Sequence, residues 1–331
     1  MNELELLKEK TRTLCMRFNP NHGPDGKFAP SGSGGGSSGG GSGKSGSKGG
    51  GKSGKVYEGK EGRNYGKADT SDALKEVQNG THNSLEDYMD ENGNLTPERA
   101  ALHKQIIDDY LAEKTPVEGQ AEMVMMGGGP ASGKSSTIKS GKVVLPDEEN
   151  TVMVNPDDIK EKLPGYSQMA AETDTAASFY HEESSMIAKQ LANVSFDENY
   201  NVVYDGTGNG SENSVRKKID NARENGYRVT ANYVTVDTDE AVVRNQERYD
   251  RAVAAGENPR LVPESYVRDC HASVTDISMA MAPEFDSISL YDNNGEGTPT
   301  LIATGGSGQP LTAVAGHEAE FQAFVDKGHN H

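Results

Sequence analysis

The run Gly128, Gly129, Pro130, Ala131, Ser132, Gly133, Lys134, Ser135 satisfies G-x-x-x-x-G-K-[ST] at every constrained position, and Ser136 follows it. Glycines let successive backbone N–H groups turn toward phosphate oxygens, and a helix starting after them adds its positive end. Lys134 then reaches the β- and γ-phosphates, while the Ser135 hydroxyl can ligate Mg²⁺. An apolar run precedes the loop and a helical stretch follows it, which is the context this motif requires. A plain Gly-rich turn would not need all of these features together. The chain is therefore expected to bind a nucleoside triphosphate.

Binding leaves the reaction open. The segment VNPDDIK places Asp157 and Asp158 just past the carboxyl end of a strand, the edge where open α/β sheets take their ligands. Asp157 is either a base for an acceptor hydroxyl or the N-cap of the helix that follows, and spacing does not separate the two. The segment VVYDGTGNG brings Asp205 and Thr207 to the same edge. Asp205 there either binds metal or holds the acceptor, and Gly206 and Gly208 allow close backbone approach. Arg248 and Arg260 flank a polar helix end in QERYDRAVAAGENPRLVPESY. Alone they read as solvated arginines. Phosphoryl transfer does need positive groups, however, and a closing lid in this segment could supply them.

The elements that must position these residues alternate. Apolar runs at 122–126, 151–154, 201–204, 228–236 and 286–291 are separated by helical stretches near 133–140, 157–163, 172–194, 213–225, 238–255 and 264–281. Such alternation predicts right-handed βαβ units and an α/β fold with a mainly parallel sheet flanked by helices. Ahead of it a helix should start at Thr96, with Pro97 at its first position and Leu102, Ile106, Tyr110, Ile107 and Leu111 as its apolar stripe. The terminal GHNH reads as a frayed tail, so His329 and His331 are not expected to ligate metal.

Composition narrows the class. Of 331 residues only 33% are hydrophobic, and the net charge is −18. Residues 31–54 are Gly, Ser and Lys alone, which cannot form a core and read as a tether. Residues 1–60 carry ten basic and five acidic side chains, which leaves −23 on the remainder. A body that acidic repels nucleic acid, so a nucleic-acid partner is not expected. No run of about 18 apolar residues predicts a membrane span. The N-terminus lacks an apolar signal region, and Cys15 and Cys270 are the only cysteines. The expectation is a soluble, cytoplasmic protein without membrane contact.

Taken together, GGGPASGKSS, VNPDDIK, NVVYDGTG, YRVTANYVTVDTDEAVVRNQERYD, NPRLVPESY and ISLYD resemble the zeta-toxin family of P-loop kinases across roughly residues 95–292. The resemblance implies a kinase-like parallel sheet and transfer of the γ-phosphate of ATP (or GTP) to a hydroxyl of UDP-N-acetylglucosamine, with Mg²⁺. It implies Asp157 as general base, Arg248 and Arg260 as phosphate-clamping arginines, Asp205 on the acceptor and Thr207 as a nearby hydroxyl contact. It also implies an antitoxin partner.

Two positions depart from the family. Asn209 stands where an arginine follows GTG, with Arg216 the candidate to compensate, and Asp205 stands for a longer Glu. Both put the acceptor in doubt. The run RFNP…DGKF weakly resembles N-terminal segments of phage head-associated proteins, which implies a phage-encoded chain and a head-protein partner for the arm; a solubilising tail is the alternative reading of the same segment. The expected division is an arm and tether at 1–55, a polar, partly helical lead-in at 56–95, the kinase domain at 96–310 and a tail with a short helix at 311–331. Two other functions stay open: a kinase for a polynucleotide end or another small alcohol, and a phage assembly ATPase.

Overall fold

The computed structural model describes residues 83–90, 92–143, 145–172, 176–255, 262–295 and 297–329. The arm and tether, most of the lead-in, Arg260 and His331 lie outside the described residues.

Seven strands form one sheet: β1 (Glu122–Gly127), β2 (Val152–Val154), β3 (Val202–Asp205), β4 (Arg228–Thr235), β5 (Ser287–Asp292), β6 (Thr300–Gly306) and β7 (Gln309–Ala313). Their order is β2-β3-β1-β4-β5-β6-β7. The first five strands pair in parallel, and β6 and β7 add an antiparallel hairpin beyond β5. Met123, Val124, Met125 and Met126 of β1 are all buried, as a central parallel strand covered on both faces must be.

Ten α-helices are described: α1 (Pro97–Leu111), α2 (Lys134–Lys139), α3 (Pro156–Glu161), α4 (Tyr166–Glu172), α5 (Ala176–Phe179), α6 (His181–Asp197), α7 (Glu212–Glu224), α8 (Thr238–Ala255), α9 (Glu264–Met281) and α10 (Glu318–Val325). Thr96 caps α1 as its sequence predicts, the side chain accepting from Arg99 N–H at 3.3 Å. Ile187, Leu191 and Phe196 of α6 and Val215, Ile219 and Ala222 of α7 enter the main core at helical spacing.

Three differences from expectation have physical causes. The helix anticipated at 172–194 is not continuous: α4 ends at Glu172, and α5 and α6 are separate, with Tyr180 buried between them. The hairpin was hidden by its composition: Pro310 and three glycines interrupt the strand pattern, although Pro is allowed on an edge strand. Ser307 and Gly308, at φ 52° and 84°, form the two-residue turn between β6 and β7. The third difference is the C-terminal segment, which is tied down. His329 binds Asp276 through Nδ1 at 2.9 Å and Asp269 through Nε2 at 3.2 Å. Lys327 reaches the end of β4, donating to the Val236 carbonyl at 2.9 Å.

Candidate active site

The carboxyl ends of the five parallel strands gather the chemistry-bearing loops at one edge. From β1 the chain enters the 128–133 loop, where Gly128 and Gly133 take φ values of 147° and 90° that side chains resist. Ala131 sits in the left-handed region at φ 60°. The loop leads into α2, whose Ser135 and Ser136 are exposed. Lys134 folds back to donate from Nζ to the Gly128 carbonyl at 2.9 Å. The neighbouring loop from β3 is joined to it by Gly128 N–H donating to the Thr207 carbonyl at 2.8 Å.

Across this edge, the loop after β2 carries the acidic pair. Asn155, not Asp157, is the N-cap of α3, its Oδ1 accepting from Asp157 N–H at 2.9 Å. The capping alternative for Asp157 is thereby corrected. Asn before Pro at the first helical position is itself a start signal, so the sequence held this information two residues earlier. Asp157 instead presents a half-exposed carboxylate whose Oδ1 accepts from the buried Lys160 Nζ at 2.8 Å. Asn155 also spans to β3, its Nδ2 lying 3.4 Å from Asp205 Oδ2.

Electrostatics ties these groups into one site. Burial pushes the Lys134 ammonium down, opposed chiefly by the charge of Asp205 and then by that of Asp157. Burial raises the Asp205 carboxyl against the pull of Lys134, and Asp158 and Asp157 raise it further. Asp158 is raised by burial and then by Asp157, with its bond to Asn155 working the other way. Such crowding of like charge around one lysine is an arrangement found where charge is handled.

Arg248 on α8 is exposed, with Nη2 donating to Asn245 Oδ1 at 3.3 Å, and its charge lowers Lys134. Arg216, the candidate to compensate for the arginine missing at Asn209, is paired with a carboxylate. Its guanidinium is drawn to Glu284 at 2.5 Å, before the start of β5. Thr207 Oγ1 instead donates to Asn209 Oδ1.

Two residues beside the loop escaped sequence reading. His271 of α9 and Asn293 after β5 both bind loop carbonyls, and both are buried. Their distance along the chain left no local signal.

A strand–loop–helix phosphate motif facing carboxylates across the carboxyl edge of a parallel sheet defines a P-loop phosphotransferase. Residues 107–298 match the zeta toxin family, more than half of the chain, and the protein belongs to that family of P-loop kinases. Among curated proteins none matches the chain in sequence. Solved structures share the fold. A chain of the AvrRxo1-ORF1:-ORF2 complex with ATP superposes with a TM-score of 0.54 at 18% identity, over 70% of this chain and 74% of that one. A chain from the PezAT chromosomal toxin–antitoxin system of Streptococcus pneumoniae gives 0.51 at 15% identity, over 69% of this chain and 93% of that one. No helix among the described residues is long and apolar enough to cross a membrane.

Proposed function

We propose that this kinase transfers the γ-phosphate of ATP, or of GTP, to a hydroxyl of a nucleotide sugar such as UDP-N-acetylglucosamine. The observation that carries the reading is the bond from Gly128 N–H to the Thr207 carbonyl at 2.8 Å, which sets the loop of Lys134 beside the strand end of Asp205, itself 3.4 Å from Asn155 of the acidic loop. Residues 128–136 cradle the triphosphate, and Lys134 leaves the Gly128 carbonyl to meet the β- and γ-phosphates. Asp157 is the base: its carboxylate is half-exposed, so an acceptor hydroxyl can reach it. Asp205 and Thr207 line the acceptor side. Arg248 and Arg260 supply positive charge to the moving phosphoryl group.

Mg²⁺ fits the donors present. It holds few protein ligands and keeps phosphate oxygens and waters, so the exposed Ser135 hydroxyl beside the loop suits it. Bound there, Mg²⁺ would neutralise charge on the phosphates. The chain's own contribution is to hold the triphosphate in the loop, aim the acceptor hydroxyl at it and take the hydroxyl proton on Asp157.

The family and the PezAT toxin–antitoxin fold relative support a toxic role and an antitoxin partner. A cytoplasmic, phage-encoded protein and an arm bound to a phage head protein are the remaining parts of the proposal. An assembly ATPase would have no use for the acidic acceptor side. Incubation of the full chain with ATP, Mg²⁺ and UDP-N-acetylglucosamine, followed by mass spectrometry, tests the reading. A phosphorylated sugar nucleotide is expected; ADP release without it overturns the acceptor assignment.

A further inference from the structure

The phosphate-binding loop is held from outside by two side chains that no motif predicts. His271 Nε2 lies 3.0 Å from the Pro130 carbonyl, and Asn293 Nδ2 donates to the Ser132 carbonyl at 2.9 Å. A carbonyl only accepts, so Nε2 of His271 carries the proton. Burial holds this imidazole neutral by depressing it to about 4.

Peptide planarity turns these two bonds into aiming devices. In a trans peptide the carbonyl of one residue and the N–H of the next point in opposite directions. Fastening the Pro130 carbonyl to α9 therefore turns the Ala131 N–H away from α9. Fastening the Ser132 carbonyl to the loop after β5 does the same for the Gly133 N–H. Ala131 needs such support, because its backbone at φ 60° is in the left-handed region that an L-residue disfavours.

Steric contact gives a second, independent sign that these partners belong to the loop. A Cβ on Gly129 would lie 2.3 Å from His271 Cδ2 and 2.5 Å from Nε2, and one on Gly133 would lie 2.1 Å from Asn293 Nδ2. Gly129 occupies a position that the motif leaves free, and it is not among the glycines with positive φ. Its backbone would accept alanine; the histidine ring would not.

We propose that His271 and Asn293 are positioning residues of the phosphate-binding loop, aiming the Ala131 and Gly133 amides at the triphosphate. The inference rests on reading the loop as the ATP site. The test uses the full chain, with ATP affinity from titration calorimetry and KM and kcat from the transfer assay.

His271→Ala should weaken ATP binding and raise KM for ATP by about 10-fold, the worth of one well-placed hydrogen bond. Its kcat should fall less than about threefold. His271→Gln, which keeps a donor, should recover most of the loss, and Asn293→Asp, which removes one, should behave like His271→Ala. Gly129→Ala should bind ATP poorly, and adding His271→Ala should bring binding back to the single-histidine level.

Wild-type ATP affinity in both His271→Ala and Asn293→Asp would overturn the proposal. So would His271→Gln no better than alanine, or a silent Gly129→Ala. If His271→Ala fails to fold, Asn293→Asp and Gly129→Ala decide by the same titration. A wild-type chain that itself binds no ATP would instead refute the reading of the loop, and this inference with it.

Discussion

In Asp157→Asn the amide oxygen can still accept from Lys160 Nζ, as Asp157 Oδ1 does now at 2.8 Å, and the helix cap is untouched because Asn155 supplies it. Only the proton acceptor and one negative charge are lost. The Asp157 side chain is 54% exposed, so solvent screens its pairing with Lys160, and stability should fall by no more than about 1 kcal/mol. Loss of a general base lowers kcat about 10²–10⁴-fold, equivalent to about 2.7–5.5 kcal/mol of barrier. Activity should therefore fall far beyond what destabilisation explains. The assay is kcat from phosphorylated product by mass spectrometry, with ATP affinity and melting temperature measured on the same preparation.

Asp158→Asn is the control. Burial and then Asp157 raise the Asp158 carboxyl, so its charge is unfavourable in the fold. Asn there should keep most activity and leave the melting temperature equal or higher. A kcat within threefold of wild type for Asp157→Asn would refute its role as base. The reversed pattern would transfer that role to Asp158.

Lys134→Ala should abolish transfer while the melting temperature holds or rises, since burial disfavours the Lys134 charge in the absence of phosphate; calorimetry and the transfer assay check both. Glu183→Gln should cost about 3–5 kcal/mol, read from urea midpoints, because buried Glu183 accepts from Arg99 Nε at 2.6 Å, His103 Nε2 at 2.7 Å and Ser84 Oγ at 2.7 Å. Burial alone would raise that carboxyl, but the bonds from His103, Arg99 and Ser84 hold it down to about 2. Its contribution is complete above the unfolded value near 4.5 and is lost as pH falls toward 2, so Glu183→Gln should flatten the acid branch of stability against pH. Deletion of residues 1–55 should leave kcat and melting temperature nearly unchanged, since the Gly, Ser and Lys tether at 31–54 that joins the arm to the body buries no apolar surface.

Local pattern carried most of the fold. Five parallel strands were legible because each is a short apolar run between helical stretches, and burial on both faces needs such runs. The phosphate loop was legible because its residue types act on their own backbone, as Gly128 and Gly133 do at positive φ. The same locality left the cap of α3 open: Asn155 and Asp157 stand two residues apart, both are capping types, and only the hydrogen bond decides between them.

What the tertiary structure alone decided is contact between distant segments. The sheet order places β1 between β3 and β4, so the loops at 128–133 and 206–209 meet although β2 and its helices intervene in sequence. That adjacency brings Lys134 within the fields of Asp205 and Asp157. Arg216 and Asn209 show the limit of spacing arguments. A helical turn or two of separation made the arginine a plausible substitute, yet its guanidinium closes on Glu284. His271 and Asn293 reach the loop across 141 and 161 residues, and a residue's own neighbours in sequence hold no record of such a bond.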